Sequence, residues 1–269
     1  MSRTSLVLVM LCLALPLLVL IASALYGLDG HAVNLDAVLA SATLAHPLGC
    51  DALGRDVLAR LSEGLRLSLM VGVSVICFGG MVGISIGLIS GWMGGRIDAL
   101  LMRLADIVLS FPGILLAIAM AAMLGPGVDN LILALVVVGW VGFARLTRAQ
   151  VLSLKGVPFV EAARANGLGF PYIAVRHLLP NIAAPLLVEA SFGLAAVVIG
   201  EAGLSFLGVG VQPPDASLGT MIREGSRLML VSPQLVIWPG LVLFALVMAV
   251  NLLGDALRDH LDVRRQQEG

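Results

Sequence analysis

Three acidic residues, Asp106, Glu189 and Glu201, lie inside long apolar stretches. A charge in lipid is costly, so such residues face a bundle interior or a wet path, and the chemistry open to them is handling a proton or a cation. Glu189 and Glu201 are twelve positions apart. On a straight helix that is about 18 Å and roughly 120° of rotation, at about 100° per residue. They therefore make no paired-carboxylate site. Asp106 stands one turn from Arg103, where an ion pair is the simplest role. Each acid has two readings: lining a solute path, or a structural hydrogen bond to a neighbouring helix.

Other chemistry is missing from the sequence. A phosphate-binding loop needs Gly-Lys-Ser/Thr after a glycine-rich turn, but the one lysine, Lys155, is followed by Gly156 and Val157. His31, His46, His177 and His260 have no metal-ligand spacing. Cys12, Cys50 and Cys77 form no CxxC pair, and no GxSxG elbow is present. No catalytic residue, no metal site and no cofactor is expected. The chain reads as a non-enzyme, and any ATP-driven work must come from another subunit.

The elements that carry these residues belong to a membrane. The chain is 59% hydrophobic and 12% charged, with mean hydropathy +1.03. A soluble domain has roughly 25% charged residues, so this composition cannot cover a wet surface. A net charge of −1 gives no sign of nucleic-acid binding. Crossing a bilayer takes about 20 apolar residues. The uncharged runs predict an all-α, polytopic protein with six transmembrane helices at 5–27, 69–92, 106–124 with a kink at Pro112, 131–152, 182–209 and 235–254. With the N-terminus inside, eleven Lys and Arg fall in inner segments and five, Arg55, Arg60, Arg66, Arg223 and Arg227, in outer loops. The positive-inside rule then puts both termini in the cytoplasm. Ala22-Ser23-Ala24 resembles a signal cleavage site. The apolar run before it is longer than the roughly 7–15 residues of a signal core, which predicts a retained helix.

Between predicted spans 4 and 5 lies a polar, helix-forming segment, EAARANGLGFPYIAVRHLLP at 161–180. Pro158 suits a first helical turn, and Gly167 suits the left-handed residue that ends a helix. Pro171 is read as starting a second short helix, and Pro180 as stopping it. The result is a helix–turn–helix on the cytoplasmic face, longer than a plain connector needs to be.

Glu161-Ala162-Ala163, then Gly167, then Leu179-Pro180 resembles the EAA loop of ABC-importer permeases, with His177 where that pattern has Ile. Three further segments resemble the dipeptide, oligopeptide and nickel branch of that family. They are His46-Pro47-Leu48-Gly49 with Asp51 and Gly54-Arg55-Asp56; Leu204 to Pro214; and Asn251-Leu252-Leu253-Gly254-Asp255 with Leu257-Arg258-Asp259 and Leu261-Asp262. Cys50 and Leu218 depart from it, standing where Thr and a common Trp are found. The likeness runs from about residue 46 to the end and is greatest to the second, C-type permease of such systems.

The resemblance implies residues 1–68 as a first helix and outer loop, and 69–269 as a permease core of five helices. It implies a bacterial inner-membrane subunit that forms the pathway for peptides or nickel. Its partners would be a homologous second permease, two ATPase subunits and an extracytoplasmic solute-binding protein. Glu161, Ala162, Ala163, Gly167, Leu179 and Pro180 would couple to the ATPase. A nickel or nickel-chelate permease is the alternative within the family, and the short first outer loop fits it. An ion-coupled carrier using Glu189 or Glu201 is the alternative outside it, although no repeat between halves is evident.

Glycine also recurs every fourth residue in span 2, at Gly79, Gly83, Gly87 and Gly91. Such a stripe lets another helix approach closely. The neighbour is either a helix of this chain or one of the partner permease.

Overall fold

The computed structural model describes residues 3–27 and 29–267, and the side chains of residues 3–9 and 262–267 lie outside what it describes. Among the described residues the chain is helical, and the one β contact is an isolated bridge between Cys50 and Asp56. The long helices are α1 (Arg3–Tyr26), α2 (Val57–Met93), α5 (Val128–Leu154), α8 (Leu179–Leu207) and α10 (Gln234–Gln267). Shorter ones are α3 (Gly95–Leu109), α4 (Gly113–Leu124), α6 (Pro158–Ala165), α7 (Phe170–Ile173) and α9 (Leu218–Ser226). A π turn, Ala174–Leu178, joins α7 to α8.

Among the described residues four helical stretches are long and apolar enough to cross a membrane: Val57–Met93, Val128–Leu154, Phe170–Leu207 and Gln234–Leu261. The bent pair α3 and α4 makes a fifth, and the apolar part of α1, Met10–Tyr26, is shorter. The chain is a polytopic membrane protein.

Two differences from the sequence reading bear on how the helices are placed. Helix α2 begins at Val57, where 57–68 was read as outer loop. The Asp56 carboxylate caps it, accepting from the Ala59 N–H at 2.8 Å. Charge at Arg60 and Arg66 signalled the end of the apolar run, not the end of the helix. The 37 residues of α2 reach about 55 Å, well beyond a hydrocarbon core of about 30 Å.

The predicted third span is broken sharply at Pro112. Helices α3 and α4 meet at 85°. Pro112 lacks an N–H and biases Phe111 away from helix, so the chain breaks rather than bends. Asp106 therefore sits in amphipathic α3, outside the apolar α4.

The glycine stripe faces α5 of the same chain. A Cβ at Gly83 would lie 2.2 Å from the Trp140 carbonyl oxygen, and one at Gly87 2.5 Å from that of Ala144. At Gly91 it would lie 2.8 Å from Val151 Cβ. The two helices run together along most of their length, backbone against backbone. Around this pair, Leu61, Leu65, Val198, Leu218 and Val242 fill one end of the interior. Val71, Val75, Leu131 and Leu204 fill the middle, and Val151, Val160, Ile173, Leu178 and Ile182 fill the other end.

Gly83→Ala should force α2 and α5 apart. The expected loss is about 1–3 kcal/mol, read as a lowered midpoint of thermal unfolding in detergent. Gly240→Ala in α10, where a Cβ meets nothing within 4 Å, should be neutral or stabilising. Equal behaviour of the two variants would refute the close-packing account.

Candidate functional site

One end of the bundle carries a hairpin built from α6 and the 170–178 helix. Pro158 occupies the first turn of α6. Gly167 ends it with φ +76°. The Gly167 N–H bonds to the Arg164 carbonyl at 2.9 Å and the Leu168 N–H to that of Ala163 at 3.2 Å, the paired bonds of a left-handed helix stop. Val160 and Ala163 are buried, whereas Glu161, Ala162, Arg164 and Gly167 are exposed. The EAA alanines therefore do different work. Ala163 packs inward, and Ala162 leaves a smooth spot beside Glu161 on the outer face.

Pro180 does not end a helix, as the sequence reading had it. The helix from Phe170 continues into α8 through the π turn, whose Leu179 N–H donates to the Ala174 carbonyl. A proline in mid-helix removes one donor and crowds the carbonyl four residues earlier; a widened turn there accommodates it. Leu179 is half-buried against the inner cluster, and Pro180 is exposed. His177 lies between Phe159 and Tyr172, with ring centroids 6.2 and 5.9 Å away.

The hairpin is fastened to the spans through Trp92, near the end of α2. Phe170 stacks on the Trp92 ring at 5.4 Å. Arg164 lies 5.6 Å and the Lys155 amine 5.8 Å from its centroid, and that amine also donates to the Trp92 carbonyl. Four elements thus meet at one indole. In sequence Trp92 is only an aromatic at a span end, and no local signal marks its partners.

The three acids of the apolar stretches have separate surroundings. Asp106 is half-exposed and pairs with Arg145 at 2.5 Å, not with Arg103. Next to it Asp98 takes a two-pronged bond from Arg148, at 2.5 and 2.7 Å. Both pairs tie α3 to α5. Glu201 is fully buried and accepts from Ser68 Oγ at 2.6 Å and Ser205 Oγ at 2.9 Å, linking α8 to α2. Glu189 is half-buried and lines a partly open cavity of about 310 Å³ between α2, α4, α5 and α8. No two of the three meet.

The opposite end holds a polar knot that the sequence reading treated only as a signature. Asp51 accepts from the N–H groups of Leu53 (2.8 Å) and Arg55 (3.0 Å), from Arg55 Nε (2.8 Å) and from Arg60 Nη1 (2.5 Å). Arg60 and Arg55 also reach Glu224 of α9, at 2.8 and 3.3 Å. His46 Nδ1 lies 2.9 Å from Asp56. Gly54 has φ +70°, and a Cβ there would fall 1.7 Å from the Asn34 carbonyl oxygen. Burial pushes the Asp51 carboxyl up, but the two backbone donors and the charges of Arg60 and Arg55 outweigh it and hold the group below its ordinary value. Burial, Asp56 and Asp51 push the Cys50 thiol up, so it stays a protonated, inert thiol. Glu224 is 169 positions from Arg55, and no local signal in the sequence joins them.

Nearby, Asp29, His31 and Glu63 bring one ligand-type atom each to within 4.8 Å of one another. Asp29 and His31 are exposed. Hydrogen bonds from the His31 N–H to Asp29 (2.8 Å) and from the Gly30 N–H to Glu63 (3.2 Å) account for the grouping.

This chain belongs to the family of binding-protein-dependent transport system inner membrane components, whose sequence profile matches residues 83–267. It is a non-catalytic ABC-importer permease of the peptide/nickel C-type branch. Among its relatives, the nickel transport system permease protein NikC of Escherichia coli is 39% identical over 262 residues, covering 97% of this chain and 95% of that protein. The glutathione transport system permease protein GsiD of Pectobacterium atrosepticum is 42% identical over 218 residues, covering 81% and 72%. The dipeptide transport system permease protein DppC of Haemophilus influenzae is 40% identical over 223 residues, covering 83% and 76%. An inward-facing structure of the MetNI methionine ABC transporter shares the fold, with TM-score 0.61 at 19% identity over 75% of this chain and 95% of that one.

Removing one partner of the buried knot should be severe. Arg60→Gln should lower stability by about 3–5 kcal/mol, seen as a lower thermal midpoint. Because folding holds the Asp51 pKa below its unfolded value of about 3.9, its contribution is full above that pH and lost as pH falls through the folded value. Asp51→Asn should therefore flatten the acid limb of the stability curve. An unchanged acid limb would contradict the knot.

Proposed function

We propose that this chain forms half of the solute pathway of a bacterial ABC importer. It pairs with a homologous second permease, the pair docks two ATPase subunits inside, with this chain's α6–α7 hairpin as its own docking element, and solute comes from the binding protein at the opposite end. Six crossings, with α1 as the first, put both termini and the hairpin in the cytoplasm. The observation that carries this reading is a hairpin whose outer face is free while its inner face is continuous with the spans. Glu161 and Ala162 face outward beside exposed Phe159, Leu168 and Tyr172. That mixture of charge and apolar surface suits a protein groove. The inner face shares one packed cluster with α2, α5 and α8. ATP binding closes the ATPase pair, the hairpin follows, and the helix ends move with it to alternate access.

Among the three acids, Glu189 lines the pathway, because it alone borders the large cavity. Asp106 and Glu201 hold helices together. The solute is a small peptide or nickel. Nickel is favoured by length: the match to the nickel permease covers 97% of this chain, against 81% and 83% for the glutathione and dipeptide relatives.

Two variants test the docking face. Glu161→Arg reverses its charge. Gly167→Val puts a β-branched residue at positive φ, at a cost of about 1–2 kcal/mol. Both should insert normally, retain less ATPase on co-purification and lose most ATP-driven uptake. Normal uptake with full ATPase retention in both would reduce the hairpin to a connector. An impermeant thiol reagent should label Leu44→Cys but not Ala165→Cys in intact spheroplasts, and the reverse pattern would overturn the orientation.

A further inference from the structure

The large cavity is walled by Val75, Ala117, Val138, Phe143 and Val197 among others, and Glu189 is the one ionisable residue lining it. A second cavity of about 230 Å³ lies toward the hairpin end, lined by Leu146, Pro185, Val188, Arg258 and again Glu189. Glu189 is the residue common to both. It stands nineteen positions into the continuous Phe170–Leu207 helix, about 28 Å from its start. Its carboxylate is accommodated by Gly142 of α5, where a Cβ would lie 2.5 Å from Glu189 Oε1.

Among the described residues no hydrogen bond or ion pair reaches Glu189, in contrast to Asp106 and Glu201. A carboxylate inside an apolar spanning helix without a partner is expensive to keep. A passing cation would supply the missing partner, and an anion would be repelled at the same point. Apolar walls sharpen this choice, since a charge is felt further where the dielectric is low.

We propose that Glu189 is the point at which the pathway contacts a positively charged group of its cargo, selecting cationic solutes as they pass from the membrane cavity to the cytoplasmic one. This rests on the permease reading above. The recognised chemistry is a cation held by a single carboxylate. Two sources offer it: the free ammonium of a small peptide, or a divalent metal ion.

One test does not need the cargo. In a chain with Cys12, Cys50 and Cys77 changed to alanine, Ala196→Cys places a thiol in the large cavity, two turns along α8 from Glu189. In the assembled complex, its rates of reaction with a trimethylammonium and a sulfonate methanethiosulfonate are compared. The cationic reagent should be favoured on the order of tenfold. Glu189→Gln should abolish the preference and Glu189→Asp should keep it. An equal preference with Glu and Gln at 189 overturns the proposal.

Uptake by the reconstituted complex with its binding protein separates the sources. If the cargo cation is an ammonium, Glu189→Gln raises KM for dialanine and not for N-acetyl-dialanine. If it is a metal ion, the variant raises KM for Ni²⁺. No change in KM for any of the three counts against the proposal. Absence of ATP-driven uptake by the native complex would instead count against the permease reading, and the reagent comparison would still decide the role of Glu189.

Discussion

Close contact between the backbones of α2 and α5 is the constraint on which the other features depend. In lipid an apolar side chain gains little by leaving the tails for another helix, so association relies on close packing and on polar ties. Glycine at 79, 83, 87 and 91 removes the side chains that would hold the two helices apart. With α5 seated there, Arg145 and Arg148 can reach Asp106 and Asp98 and fix α3 beside it. Lys155, at the end of α5, reaches Trp92 at the end of α2. Gly142, further up α5, leaves space for Glu189.

The same rigidity suits the proposed coupling, in which a small hairpin would move long helices. The segment from Phe170 to Leu207 is one continuous helical path, so a push on the hairpin would enter α8 without a slack loop between. Val160 and Ile173 are fully buried in the cluster that also holds Leu88, Val151 and Ile182. Packed interiors transmit displacement instead of absorbing it. At the far end the Asp51 knot and the Ser68–Glu201–Ser205 bonds do the corresponding work, tying the segment before α2 to α9, and α8 to α2.

Much of this was legible in the sequence, for local reasons. Uninterrupted apolar runs announce α5, α8 and α10, glycine periodicity announces a contact stripe, and Gly167 after a helix-forming stretch announces a left-handed stop. The misreadings have physical causes too. Charges at Arg60 and Arg66 hid the first turns of α2, because a helix can outlast the bilayer. Pro112 reads in sequence as a kink, but with Phe111 also biased away from helix the chain turns by 85° there. Pro180 looked like a stop, but a π turn let the helix pass it. The pairs Arg145–Asp106, Arg148–Asp98 and Arg55–Glu224 are long-range, so nearest-neighbour reasoning assigned Asp106 to Arg103 instead. The sequence put Glu189 and Glu201 on equal terms. What separates them is the presence of two serines within reach of one and a cavity beside the other.

The central claim is that the pathway through this chain is driven from outside it, by ATP bound to partner subunits and felt through the hairpin. The most direct measurement is solute uptake by the reconstituted complex with its binding protein under two regimes: ATP supplied with the proton gradient collapsed, and a proton gradient imposed without ATP. The account predicts uptake in the first regime only, and no ATP hydrolysis by this chain alone. Uptake in the second regime and not the first would contradict it, and would make Glu189 or Glu201 the coupling site of an ion-driven carrier.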